Sequence, residues 1–278
     1  MGRYHRPHTL DDALATLRRG AAILSGGTDF YPARVGRVLD EDILDVTRIA
    51  VLRGITRDGA CTRIGALTTW SDVAEAALPP HFACVQEAAR EIGGVQIQNA
   101  GTLAGNLCNA SPAADGVPAL LALSAEVELA SAQGRRVLPL ARFVLGPRRT
   151  ALAPGELMTA ILVPDPSVRA RSAFLKLGAR RYLVISIAMV AAMVDVDDGG
   201  RITACGIAVG ACSAVAQRLP ELEQTLVGRA RDHRLAGAVE PRHLQPLAPI
   251  DDVRGTAAYR LDAALQLVRR ALERLAHD

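Results

Sequence analysis

Gln98–Leu123 reads QNAGTLAGNLCNASPAADGVPALLAL: three glycines and the hydroxyls of Thr102 and Ser111 set among amides and alanines, with one charged side chain, Asp115. Glycine lets a backbone approach a ligand closely and adopt positive φ, while small hydroxyl and amide side chains donate hydrogen bonds. A loop of this kind, with free N–H groups and a helix start nearby, suits a pyrophosphate. So long and uncharged a loop is uncommon inside a compact domain unless it binds something. Asp115 has two readings: an acceptor for the sugar hydroxyls of a nucleotide, or a cap for the helix opened by Gly116-Val117-Pro118. That helix is predicted over Pro118–Ala125, with proline in its first turn.

A second glycine pair lies about 75 residues upstream, in Ile23–Phe30, ILSGGTDF. Ala22–Leu24 reads as a short buried strand, and Thr28-Asp29 as the start of a helix. Gly26 and Gly27 then stand where free amides point outward. Ser25 to Asp29 is either a phosphate-binding turn, with Thr28 adding a hydroxyl, or an ordinary tight turn. Two such loops suggest one dinucleotide held from two sides. The chain contains neither G-x-G-x-x-G nor G-K-[ST], so neither the nicotinamide-type fingerprint nor the nucleoside-triphosphate loop is present.

At 278 residues the chain is long enough for two ordinary domains. Half the residues are apolar and 22% are charged, as in a soluble globular protein. A net charge of +3, with no basic run interleaved with aromatics, argues against nucleic acid as a partner. The five cysteines form no C-x-x-C pair, which excludes a zinc ribbon or iron–sulfur cluster of the usual spacing. The six histidines have no metal-ligand spacing, so no metal site is expected. With no secretory h-region, no apolar run of membrane-spanning length, and Arg6 where myristoylation wants Ser or Thr, a cytoplasmic protein is expected. Lys176, the single lysine, precedes Arg180-Arg181-Tyr182. It meets an anionic ligand or flavin edge, or it is a strand-end cation facing solvent.

Elsewhere the pattern predicts helices from Thr9 to about Arg19, over Asp72–Ala77 behind a Thr69–Asp72 capping box, and over Phe82–Ile92. Strands are expected at Ile43–Val46, Arg63–Ala66, Val127–Ala130, Arg136–Pro139 and Leu157–Val163. Pro164-Asp165-Pro166 reads as a linker. Beyond it Ser172–Leu177, Ile185–Val196 and Arg201–Val209 are strand-like, the last two joined by a hairpin at Asp197–Gly200, and Val215–Val227 and Thr256–Leu275 are helix-like.

Taken in order, Tyr4-His5-Arg6-Pro7, SGGTD, Ile64–Thr69, GTLAGNLCNASPAAD, PALLAL, Phe174-Leu175-Lys176 with Arg180-Arg181, and the apolar run Ile185–Val194 resemble the FAD-binding (medium) subunit of molybdenum hydroxylases, the carbon monoxide dehydrogenase and xanthine dehydrogenase type. The likeness covers nearly the whole chain. It implies an α+β fold: a two-subdomain, PCMH-type FAD-binding domain over residues 1–165, split near 55–60, and a smaller C-terminal domain of antiparallel sheet plus helices over 166–278.

The resemblance also implies a site. Ile23, Leu24, Ser25, Gly26, Gly27, Thr28 and Asp29 form one glycine segment; Gly101, Thr102, Leu103, Ala104, Gly105 and Asn106, with Asn109 and Ser111, form the other. Their backbone amides would hold the pyrophosphate of a noncovalent FAD, Asp115 would contact its ribose or polyol, Leu157 or Met158 would lie against the flavin, and Lys176 would stand near it. No residue is expected to be catalytic. Ala104 departs from the family pattern, which has glycine there, so a need for positive φ would change the loop locally. No obvious covalent flavin anchor is present apart from Cys108. The further implications are a molybdopterin large subunit and a small [2Fe–2S] subunit as partners in a heterotrimer or a dimer of heterotrimers, with electrons passed on to an external acceptor. A flavin-binding assembly or storage module without turnover is the alternative.

Overall fold

The computed structural model describes every residue except Met1, Arg19, Arg37 and Asp278. Among the described residues, three larger sheets organise the chain, beside a two-stranded one of Val144–Gly146 and Arg149–Thr150. Tyr4–His5, Ile43–Asp45 and Ala22–Leu24 pair in that order as a small parallel sheet. The helix Leu10–Leu17 packs on it through Ala13, Leu14 and Leu17, and Thr9 caps that helix by accepting from the Asp12 N–H. The predicted end near Arg19 falls outside the described residues.

The second sheet is antiparallel, in the order Ile55–Asp58, Cys61–Gly65, Leu157–Pro164, Glu126–Ser131 and Gly134–Pro139. Leu67, Ala130 and Leu157 join this part of the chain to the core under the parallel sheet. The helices Trp70–Glu75, Ala83–Glu91 and Gly116–Ala122 bury Trp70, Val73, Val85, Leu120 and their neighbours in one large cluster. Thr69 and Asp72 form the expected reciprocal capping box.

The third sheet runs Arg171–Leu177, Ala188–Val196, Ile202–Gly210 and Gln217–Arg218, all antiparallel. Its central strand is buried at every position, which explains an apolar run with no alternation. Met189, Ala191 and Met193 point into the core shared with the second sheet, while Ala188, Val190, Ala192 and Val194 point toward the long helix Ala257–His277. The C-terminal sheet is therefore clamped between two layers. Among the described residues, no helix is long and apolar enough to cross a membrane.

Three expectations are corrected. No helix begins at Thr28-Asp29: a turn closes from the Tyr31 N–H to the Gly27 carbonyl, and a short 3-10 segment follows at Pro32–Arg34. Pro32 has no N–H to give the Thr28 carbonyl, so a first α-turn cannot propagate. Gln98–Asp115 is not an open loop, because Val95–Ala100 and Leu103–Asn109 are helical. Finally, the helix expected at Val215–Val227 forms only over Pro220–Leu226. Proline is well placed in a first turn, and Gln217–Arg218 pairs instead with Val209 and Ala208.

Candidate cofactor cleft

A cavity of about 560 Å³ opens between the parallel sheet, the second sheet and the Leu103–Asn109 helix. The two glycine segments meet on its wall. Ser25 Oγ and Thr102 Oγ1 lie 3.0 Å apart, and Thr102 also accepts from the Gly105 N–H at 3.0 Å, capping the helix. A Cβ built on Gly26 would stand 2.0 Å from the Ala100 carbonyl oxygen, so only glycine lets the segments approach this closely. Gly27 has φ +72°, a left-handed conformation that glycine adopts without steric cost. Among the described residues, the N–H groups of Gly27, Thr28, Asp29 and Ala104 find no acceptor.

The cavity lining includes Ile23, Ser25 to Asp29, Gly101, Thr102, Ala104, Gly105, Asn106, Asn109, Leu157 and Met158. Leu24 and Leu103 point into the core instead, and Ser111 holds the local turn by accepting from the Ala113 N–H. Ala104 is the second residue of a helix, not a left-handed loop position, so alanine suits it.

Asp115 and Lys176 stand outside the lining and bond each other. The Lys176 ammonium lies 2.6 Å from Asp115 Oδ2, each side chain is 6% exposed, and Ser186 Oγ donates to Asp115 Oδ1 at 2.6 Å. Burial pushes the Asp115 carboxyl above its ordinary range, opposed by Lys176 and the Ser186 hydroxyl. Lys176 therefore does not face solvent, and Asp115, although at the helix start, makes no side-chain cap. The pair underlies the cleft wall: Lys176 also donates to the Glu91 carbonyl, next to Ile92 of the lining.

Other lining residues carried no sequence signal. Phe30 offers its ring, with the Arg34 guanidinium 3.7 Å from the centroid. Trp70, Ile92, Ile97 and Leu152 supply apolar wall. Arg148 reaches in from the turn after Gly146 to meet Asp29 and Asn109. The half-buried Cys108 thiol is pushed up to about 12 by desolvation, which leaves it a poor nucleophile at neutral pH.

A narrow, largely apolar slot with free amides from two glycine segments at its middle has the form of a dinucleotide site. FAD fits the residues present: Gly26 admits no side chain, four N–H groups lack acceptors, and the buried Asn106 Oδ1 has no donor. Residues 1–166 match the family described as FAD binding domain in molybdopterin dehydrogenase, and residues 173–275 match CO dehydrogenase flavoprotein C-terminal domain. The carbon monoxide dehydrogenase medium chain of Afipia carboxidovorans is 33% identical over 98% of this chain and 95% of that one. The nicotine 6-hydroxylase medium subunit of Paenarthrobacter nicotinovorans is 30% identical, over 97% and 95%. The crystal structure of a Cu,Mo-CO dehydrogenase contains a chain that superposes with a TM-score of 0.91 at 30% identity, covering 99% of this chain and 98% of that one. The chain belongs to the FAD-binding, medium-subunit family of molybdopterin-dependent dehydrogenases. It is an oxidoreductase subunit, and its cofactor is FAD.

Proposed function

We propose that this chain is the electron-transfer subunit of a cytoplasmic heterotrimer, accepting electrons from a partner's [2Fe–2S] clusters and delivering them to an external acceptor. A molybdopterin-bearing large subunit and a small iron–sulfur subunit complete that assembly. The observation that carries this reading is the amide-lined cleft without acid–base or nucleophilic machinery: its charged side chains among the described residues are Asp29, Arg34 and Arg148, and its one thiol is held protonated. Such a site binds and tunes a redox group; it does not perform bond chemistry on a substrate. FAD, when bound, supplies the ability to take electrons singly and store two.

In this reading the protein's own residues hold and orient. Gly27, Thr28, Asp29 and Ala104 present amides to the pyrophosphate, and Asn106 Oδ1 accepts from a donor on the cofactor. Leu157 and Met158 exclude water from the flavin. The Asp115–Lys176 pair stiffens the wall behind it. Residues 1–165 grip the cofactor, and 166–278 brace the grip through the shared core.

The test uses the assembled complex with its FAD removed. Substrate is expected still to reduce the iron–sulfur clusters, while reduction of the external acceptor stops until FAD is restored. Full acceptor reduction by the flavin-free complex would overturn the proposal.

A further inference from the structure

We propose that Arg148 is a positioning residue for the anionic cofactor, acting by neutralising Asp29 so that the first glycine segment can accept a pyrophosphate. This rests on the FAD reading of the cleft. Asp29 follows directly on the free N–H groups of Gly27 and Thr28, and its side chain is 47% exposed at the cavity rim. A bare carboxylate there opposes any phosphate bound by those amides, because like charges at short range repel strongly near a low-dielectric wall.

Arg148 is the cation placed to cancel it. Its Nη1 lies 3.0 Å from Asp29 Oδ2, and Asn109 bonds to both side chains, donating to Asp29 and accepting from Arg148. Three segments far apart in sequence are thus tied at the rim. Arg34, the other lining cation, is already engaged by Glu41 at 2.5 Å and by the Phe30 ring. The backbone enforces the placement. Arg148 has φ +58° and donates its N–H to the carbonyl of Ala110, itself at φ +48°. Two non-glycine residues in left-handed conformations, joined by a hydrogen bond, are the sort of local strain that gathers at ligand clamps.

A purely structural ion pair and this role separate in a double-mutant cycle. The full chain, stripped of flavin, is titrated with FAD and binding is read by flavin fluorescence, with thermal melts recorded in parallel. Arg148→Gln is expected to weaken FAD binding roughly fivefold or more, the defect shrinking as salt rises. Adding Asp29→Asn to it is expected to restore affinity to within about twofold of wild type, since the carboxylate that needed cancelling is gone. Arg148→Lys keeps the charge and is expected to bind nearly as well as wild type. Unchanged affinity in Arg148→Gln, or a double variant as weak as Arg148→Gln, would overturn the inference while leaving the FAD cleft standing. Where Arg148→Gln does not fold, Asp29→Asn alone carries the test: affinity tighter than wild type or within about twofold of it supports the role, and any greater loss overturns it. Wild-type chain that takes up no FAD would overturn the functional reading and this inference with it.

Discussion

Ser25 and Thr102, 77 residues apart in the chain, meet hydroxyl to hydroxyl at 3.0 Å and join the two glycine segments into one wall. Thr102 does two things there, since the same oxygen caps the Leu103–Asn109 helix. Thr102→Val removes both bonds at nearly constant volume. It is expected to cost about 1–2 kcal/mol of stability and to weaken FAD binding. Ser25→Ala, which removes only the contact between segments, is expected to weaken FAD binding with a smaller loss of stability. Chemical denaturation beside FAD titration separates the two effects.

Steric closeness gives a sharper prediction. Valine at position 26 would place its Cβ 2.0 Å from the Ala100 carbonyl oxygen, and valine at 105 would place its own 2.7 Å from Thr102 Oγ1. Gly26→Val and Gly105→Val are each expected to lose FAD while the C-terminal sheet and its long helix stay folded. Flavin content and circular dichroism read this directly. Full occupancy in both variants contradicts a cradle made of two segments.

The buried Asp115–Lys176 pair is costly to break. Lys176→Met leaves a carboxyl buried without its cation, at a cost of about 3–5 kcal/mol. Burial already pushes this carboxyl up, so its protonated form suits the folded state better than the unfolded one. The folded protein then binds more protons, and this contribution to stability is present at low pH and fades as pH rises through the raised value. Lys176→Met should therefore regain stability relative to wild type as pH is lowered from neutral toward the acid range. A deficit that deepens on acidification counts against the pairing.

Cys108 bears on how the flavin is held. With its thiol pushed up to about 12, it stays protonated at neutral pH and does not attack. The expected outcome is that denaturation releases all the flavin and that iodoacetamide labels Cys108 slowly in the folded chain. Flavin that remains with the polypeptide after denaturation refutes a noncovalent site.

Much of this architecture is readable from residue order. Val127–Ala130 and Leu157–Val163 announce themselves as apolar strands, and Ala188–Val194 is an unbroken apolar run because both its faces are covered. The glycine segments are legible for their backbone chemistry. What surrounds them is not. The scarcity of charge in Gln98–Ala114 reflects packing of Leu103, Ala104 and Leu107 in the core, not an open loop, and local sequence does not tell these apart. The halted helix after Gly27 turns on Pro32, a single missing N–H. The Asp115–Lys176 pair joins residues 61 apart through tertiary packing alone, and Arg148 belongs to no motif. Both become visible only when distant segments are brought together.

The central claim is that the two glycine segments hold one FAD. Purified chain, freed of unbound flavin and then denatured, is to be assayed for the cofactor it releases. The account predicts FAD, close to one per chain in wild type and none in Gly26→Val. A folded wild-type chain that carries no flavin and takes up none from solution would contradict it.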